Sequence, residues 1–214
     1  HRVGIAFGEA VAARNDAGIR VSDGLVNGTS MYAFDAEADS YLVADHNRHL
    51  YLVQADDPGL TRTHLVTVDK TRRNVELNYD NVAAQTISTD PEVFAAALDV
   101  GRLALAADTL GAAQNMLDQA VEYAKQREQF HRPIASFQAV KHMCAEMAAQ
   151  LEPCRSMVWF AGHALAELPD EARVTACHAK AHLAEVGQFI AKTATEVHGG
   201  MGSVSYTHLR AHET

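Results

Sequence analysis

Nine apolar positions between residues 137 and 165 constrain this chain more than any other feature. Phe137, Val140, Cys144, Met147, Leu151, Cys154, Val158, Ala161 and Leu165 follow one another in steps of three and four. That is the spacing of one helix face. Kept up for about four heptads, it describes a helix of about 43 Å at 1.5 Å per residue, with a seam that only other helices can cover along its length. Pro153 lies inside it, removes one backbone hydrogen bond and predicts a kink at a cost of about 3 kcal/mol. A second stripe precedes it: Leu103, Ala106, Leu110, Ala113, Leu117, Ala120 and Ala124. A third follows Pro169-Asp170-Glu171, through Val174, Cys177, Ala181, Ala184, Ala191, Ala194 and Val197, and stops at Gly199-Gly200, a natural helix terminator. Three long antiparallel helices leave a groove that a fourth helix or another subunit must cover. The pattern therefore predicts oligomerisation, and a chain that is a piece of a longer one.

Before residue 89 the period is two rather than three and a half. Ile19 to Ser22 leads into Asp23-Gly24, a type I′ hairpin signal, and Asn27-Gly28 reads as a second turn almost at once. Tyr41–Ala44 and Leu50–Val53 are short apolar strands around the polar link Asp45-His46-Asn47-Arg48. Asp56-Asp57-Pro58-Gly59 is a loop. Thr61 to Val68 and Asn74 to Tyr79 alternate again, the second closing at Asp80-Asn81. Short strands with turn signals at this spacing predict a small barrel or sandwich. The fold class is thus α+β: a small antiparallel β-barrel domain followed by an incomplete antiparallel four-helix bundle with three long helices present. The expected domains are 1–88, 89–202 and a tail, 203–214.

At 214 residues the chain can bury a sizeable core. A formal net charge of −9 argues against nucleic acid and anionic membrane, whose phosphates would be repelled. No apolar run is long enough to span a bilayer, and no secretory pattern opens the chain. Cys144, Cys154 and Cys177 all fall on the stripes above. They read as small buried hydrophobes in a reducing cytoplasm, not as a disulfide framework. The first residue is His1 rather than Met, in line with a fragment.

The segment Arg127-Glu128-Gln129-Phe130-His131-Arg132-Pro133-Ile134-Ala135-Ser136-Phe137-Gln138-Ala139-Val140-Lys141-His142 reads as a helix end, a short turn and a helix start. Pro133 forbids a simple continuation, and Ser136 is the expected N-cap of a helix opening at Phe137. Arg127 is then held at a bend between two helices, where a guanidinium can meet phosphate or carboxylate in a bidentate way.

This segment resembles the acyl-CoA dehydrogenase family, whose C-terminal helical domain carries a similar REQF-x-RPI-x-x-FQ-x-x-K run. The likeness extends from about residue 19 to residue 202, most specifically over 101–142 and 192–202. It implies a middle β-barrel domain and a C-terminal four-helix domain, in a flavoprotein that takes the α-proton and β-hydride from an acyl-CoA and passes electrons to an electron-transfer flavoprotein. It also implies a tetramer, with FAD shared across a subunit interface, and a cytoplasmic enzyme of fatty-acid or related lipid metabolism. Carried over by position, Arg127 falls on the FAD pyrophosphate of a neighbouring subunit, with Phe130 and Gln138 lining the same cofactor. Glu196-Val197-His198-Gly199-Gly200-Met201-Gly202 resembles the family's Q-x-x-GG-x-G loop at the adenine side of FAD, with Glu196 in place of the usual glutamine. Arg102 falls at a position that faces the substrate.

The barrel half matches less closely. Leu25-Val26-Asn27-Gly28-Thr29 resembles an LNGTK turn in which Lys has become Ser30. Tyr32-Ala33-Phe34 stands where the family has an aromatic-Ile-Thr sequence at the flavin ring, and Ala6-Phe7-Gly8-Glu9-Ala10 is a degenerate echo of its TEP segment. No catalytic base can be assigned. One family position for the glutamate lies beyond the matching residues, and the other is Gly101 here; Asp99 and Asp108 read as solvated helix acids. These departures support an alternative, a non-catalytic subunit paired with an active paralogue. His178 and His182 have metal-pair spacing, i and i+4, but no third ligand accompanies them, so no metal site is expected. Residues 203–214 break from the family abruptly and read like translated foreign sequence.

Overall fold

The structure, a computed structural model, describes residues 1–11 and 18–200. Met201, Gly202 and the 203–214 tail therefore lie outside the described residues. The chain divides into two compact units between Ala97 and Leu98.

The first unit contains β1 (Val3–Ala6), α1 (Gly8–Val11), β2 (Gly18–Ser22), β3 (Leu25–Phe34), β4 (Ser40–Ala44), β5 (Leu50–Gln54), β6 (Leu60–His64) and β7 (Asn74–Ser88). Pairing runs β3-β1-β4-β5-β7, and β7 returns to β3, so the sheet closes on itself. Closure removes the free edges that an open sheet would expose. β2 adds to β3, and β6 adds to β7. One pair, β1 with β4, is parallel; the others are antiparallel. Alternation sends Ile19, Val26, Ala33, Tyr41, Val43, Val53, Val75, Leu77 and Val82 inward, all fully buried.

Asp23 and Gly24 have φ of 52° and 77° and join Ser22 to Leu25, as a type I′ turn requires. Asn27-Gly28, by contrast, is no turn. Both residues sit inside β3, opposite Arg20 and Ile19, where Gly28 at φ 126° forms a bulge against β7. Asp80-Asn81 likewise does not end a strand, because β7 continues to Ser88 with Asn81 at φ 54°. Turn-forming residues mark positive φ, and a bulge needs positive φ as much as a turn does. β6 stops at His64, leaving Val66 and Val68 exposed.

The helical unit is built from α2 (Pro91–Gln126, which starts in the first unit), the two-residue strands β8 (Glu128–Gln129) and β9 (Arg132–Pro133), a 3-10 turn (Ile134–Ser136), α3 (Gln138–Glu167) and α4 (Pro169–His198). α3 runs unbroken through Pro153. Arg155 donates to Gln114 Oε1 at 2.5 Å, and a Cβ on Gly162 would lie 3.7 Å from Leu103; α3 is thus antiparallel to α2. Asp99 meets Arg173 and Tyr123 meets His198, so α4 runs parallel to α2. The predicted stripes of α2 and α3 meet in one core at Ala106, Ala113, Leu117, Ala120, Met147, Leu151, Cys154 and Ala161.

Two local readings change. The N-cap of α3 is Phe137, with no side-chain cap bond, and Ser136 belongs to the 3-10 turn. On α4 the buried face is Ala176, Ala179, Leu183, Val186, Gly187, Ile190, Thr193, Ala194 and Val197, whereas Val174, Ala181 and Ala184 are exposed. An alanine-rich helix offers two small-residue stripes with the same spacing. The one that buries Leu183, Val186 and Ile190 wins, because each such side chain contributes about 1.5–3 kcal/mol on burial.

Candidate functional site

The corner after α2 is more elaborate than a bend. The Arg127 N–H still bonds to the Tyr123 carbonyl at 2.8 Å, while the Arg127 carbonyl accepts the Ile134 N–H at 2.8 Å. Between these two bonds a miniature hairpin pairs Glu128 with Pro133 and Gln129 with Arg132. Phe130 and His131 form its tip at φ 54° and 62°, the pair of positive values that a type I′ turn needs and that side chains other than glycine resist. Phe130 is 83% exposed. Its ring meets Phe137 edge-on at 6.0 Å, and the Arg132 guanidinium lies 4.1 Å over the Phe137 ring, a cation–π contact.

Beside the hairpin is a cleft of about 420 Å³, lined by Tyr123, Arg127, Gln129, Ile134, Val197, His198, Gly199 and Gly200. Two stretches some seventy residues apart meet there because α2 and α4 run parallel and end together. Among the described residues, Arg127 is the only cation lining the cleft, and no acidic side chain lines it. Gly199 ends α4 at φ 59°, and a Cβ there would meet nothing within 4 Å. Tyr123 and His198 stack with ring centroids 4.6 Å apart at 28°.

Of the sequence-derived residues, the cleft gathers Arg127, Val197, Gly199 and Gly200. Phe130, Gln138 and Glu196 are exposed and lie off its lining. Arg102 is elsewhere on α2, where its guanidinium donates to Asp99 Oδ1 at 2.5 Å. Asp99 is not a solvated acid: it is buried and also accepts from Arg173 Nε at 3.1 Å. Two guanidiniums occupy this carboxylate, which leaves it unsuited to accept a substrate proton. Asp108 and Gly101 are exposed. His178 and His182 are both exposed, and among the described residues no group of three potential ligands is placed to hold a metal. Tyr123, Gln129, Ile134 and His198 were not singled out. Tyr123 lies one helical turn before Arg127, so an i−4 reading from that arginine would have found it.

In the barrel, Tyr32 sits at φ 56° in a second bulge of β3 and is 59% exposed. Ala33 points inward and Phe34 outward. The buried Glu9 carboxylate accepts the Met31 N–H at 2.7 Å and so anchors that bulge from the Ala6–Ala10 segment.

Residues 92–212 match the family model described as acyl-CoA dehydrogenase, C-terminal domain. This chain belongs to the acyl-CoA dehydrogenase family. The acyl-CoA dehydrogenase FadE27 of Mycobacterium tuberculosis is 35% identical over 178 residues, covering 77% of this chain and 47% of that protein. The caffeyl-CoA reductase-Etf complex subunit CarC of Acetobacterium woodii is 41% identical over 107 residues, 50% of this chain and 28% of its own length. The butyryl-CoA dehydrogenase of Megasphaera elsdenii superposes with a TM-score of 0.81 at 24% identity, covering 94% of this chain and 58% of that one, and so shares the fold. The chain spans about half, or less, of the length of these curated relatives. Among its described residues no helix is long and apolar enough to cross a membrane.

Proposed function

We propose that the chain is part of an FAD-dependent acyl-CoA dehydrogenase of fatty-acid or related acyl-CoA oxidation, cytoplasmic, tetrameric, and coupled to an electron-transfer flavoprotein. One observation carries the reading. Arg127, with no ion pair among the described residues, lines one cleft together with Val197, Gly199 and Gly200. A lone guanidinium in one cleft with a glycine-lined helix end fits a diphosphate, because the arginine supplies charge and forked donors while the glycines admit close backbone approach. A cleft of about 420 Å³ suits part of a dinucleotide, in keeping with a cofactor shared between protomers.

Bound FAD would supply the hydride acceptor for the α,β-dehydrogenation. In this chain Arg127 neutralises the pyrophosphate, and Val197, Gly199 and Gly200 form the wall beside it. Glu196, Phe130 and Gln138, off this wall, are assigned to the cofactor across the subunit interface. Phe130, held out on a strained hairpin tip, suits insertion into a neighbour. Arg102, oriented by Asp99, is assigned to the acyl-CoA. The segments 1–88 and 89–202 are assigned as barrel and helical domains. The Etf complex named for the A. woodii relative supports the electron-transfer partner.

Flavin content tests the reading. Arg127→Ala should weaken FAD retention about tenfold or more, the size of a lost charge-assisted hydrogen bond, with helical content unchanged. Equal flavin content in the two proteins would overturn it. A second reading, a non-catalytic subunit beside an active paralogue, is favoured by the occupied Asp99 carboxylate and by Gly101. A flavin spectrum that bleaches on adding acyl-CoA supports the enzyme; a colourless protein, stable only with a partner chain, supports the second.

A further inference from the structure

A second, smaller cavity of about 200 Å³ opens where α2 gives way to α3. It shares no lining residue with the Arg127 cleft: Ile134 of the 3-10 turn belongs to that cleft, Ala135 to this cavity. Its walls are Val121 and Ala124 from α2, Ala135, and Val140 and Cys144 from α3. Small side chains make the space. Ala124, on the buried stripe of α2, Ala135 and Cys144 stand where longer residues would fill it. Burial pushes the Cys144 thiol up, so this wall carries no charge at neutral pH.

The charged groups lining the cavity are both lysines, Lys125 and Lys141. They are exposed while the walls are buried or half-buried, which puts positive charge at the mouth and apolar surface within. Glu122 takes Lys125 at 2.6 Å. Lys141 makes no ion pair among the described residues, and none of the described acids lines the cavity. One cation is thus left unmatched over an apolar hole in a chain whose formal net charge is −9.

That combination describes a ligand with an apolar body and a single anionic head. Volume sets the size of the body. Apolar cavities of about 150 Å³ hold one benzene ring, so about 200 Å³ takes roughly six carbons and admits neither a dinucleotide nor coenzyme A. We propose that this cavity is a binding site for a free short-chain aliphatic carboxylate of about six carbons, its chain among Ala124, Ala135, Val140 and Cys144 and its carboxylate on Lys141. The site is independent of the cofactor reading.

The experiment is calorimetric titration of the protein with hexanoate, 1-hexanol and hexylamine. Hexanoate should bind one per chain with Kd of about 1 mM or tighter, the reach of eight non-hydrogen atoms. Hexylamine, repelled by both lysines, should bind about tenfold more weakly, with hexanol between them. Lys141→Glu, at an exposed position, should weaken hexanoate about fivefold or more and leave the melting temperature unchanged. Ala135→Leu should fill the cavity and abolish binding. Equal affinities for hexanoate and hexylamine, or a Lys141→Glu variant that binds hexanoate as wild type does, would overturn the site. So would absence of saturable binding together with self-association that Ala135→Leu weakens, since a second copy of the chain would then be the occupant.

Discussion

Asp99 of α2 and Arg173 of α4 meet at 3.1 Å although 74 residues separate them. The same carboxylate takes Arg102 at 2.5 Å on its other oxygen. Asp99 is 4% exposed at its side chain, the arginines 35% and 50%, so the acid depends on its partners more than they depend on it. Asp99→Ala should destabilise the helical unit by about 2 kcal/mol, below the 3–5 of a fully buried pair because both guanidiniums can return to water. Urea midpoints of Asp99→Ala, Arg173→Met and the double variant check this. Additive losses would show that the pair is not coupled.

The hairpin tip carries strain that one substitution should relieve. His131 sits at φ 62° and is exposed. His131→Gly should stabilise by about 0.5–1 kcal/mol, the left-handed penalty minus the extra entropy that glycine loses on folding. A lowered denaturation midpoint would mean that the imidazole holds the hairpin in a way its geometry does not suggest.

Gly28 and Gly24 separate strain from collision in the barrel. A Cβ on Gly28 would lie 2.2 Å from the Gly18 carbonyl oxygen, whereas one on Gly24 would meet nothing within 4 Å. Both have positive φ, 126° and 77°. Gly24→Ala should cost about 1 kcal/mol, and Gly28→Ala about 3 kcal/mol or more, since β2 must move away from β3. Similar melting temperatures for the two variants would contradict the close strand approach.

Alkaline pH should unfold the barrel first. Burial pushes the Tyr79 phenol well above its ordinary value, against a smaller opposing effect from its hydrogen bond to Ser30, with Glu9 and Tyr41 adding to the rise. Tyr51 moves the same way, through burial and then the Asp45 charge. Below about pH 10 both phenols are protonated folded or unfolded and contribute nothing. Above it the unfolded chain binds fewer protons, so stability falls by up to about 1.4 kcal/mol per pH unit for each tyrosine. Tyr79→Phe should flatten part of that decline in a thermal-melt series; an unchanged slope would show that the phenol ionises without unfolding.

Periodicity and a short basic corner determined much of this protein. Steps of three and four named the cores of α2 and α3, alternation named β2, β4, β5 and parts of β6 and β7 but not β3, and Arg127-Glu128-Gln129-Phe130 with Gly199-Gly200 pointed to the family. These signals are local: they depend on which face of one helix or strand is apolar, and neighbours in sequence report that directly. The tertiary structure decided the rest. Asn27-Gly28 and Asp80-Asn81 became bulges rather than turns because their strands had partners on both sides to pair with. α4 buried Leu183, Val186 and Ile190 because α2 and α3 offered a core to them and not to its alanine stripe. Asp99 changed from a solvated acid to an ion-pair centre when α4 brought Arg173 beside it. His198 joined Arg127 for the same kind of reason: two helices running in parallel end at one level, and residues distant in sequence then line one cleft.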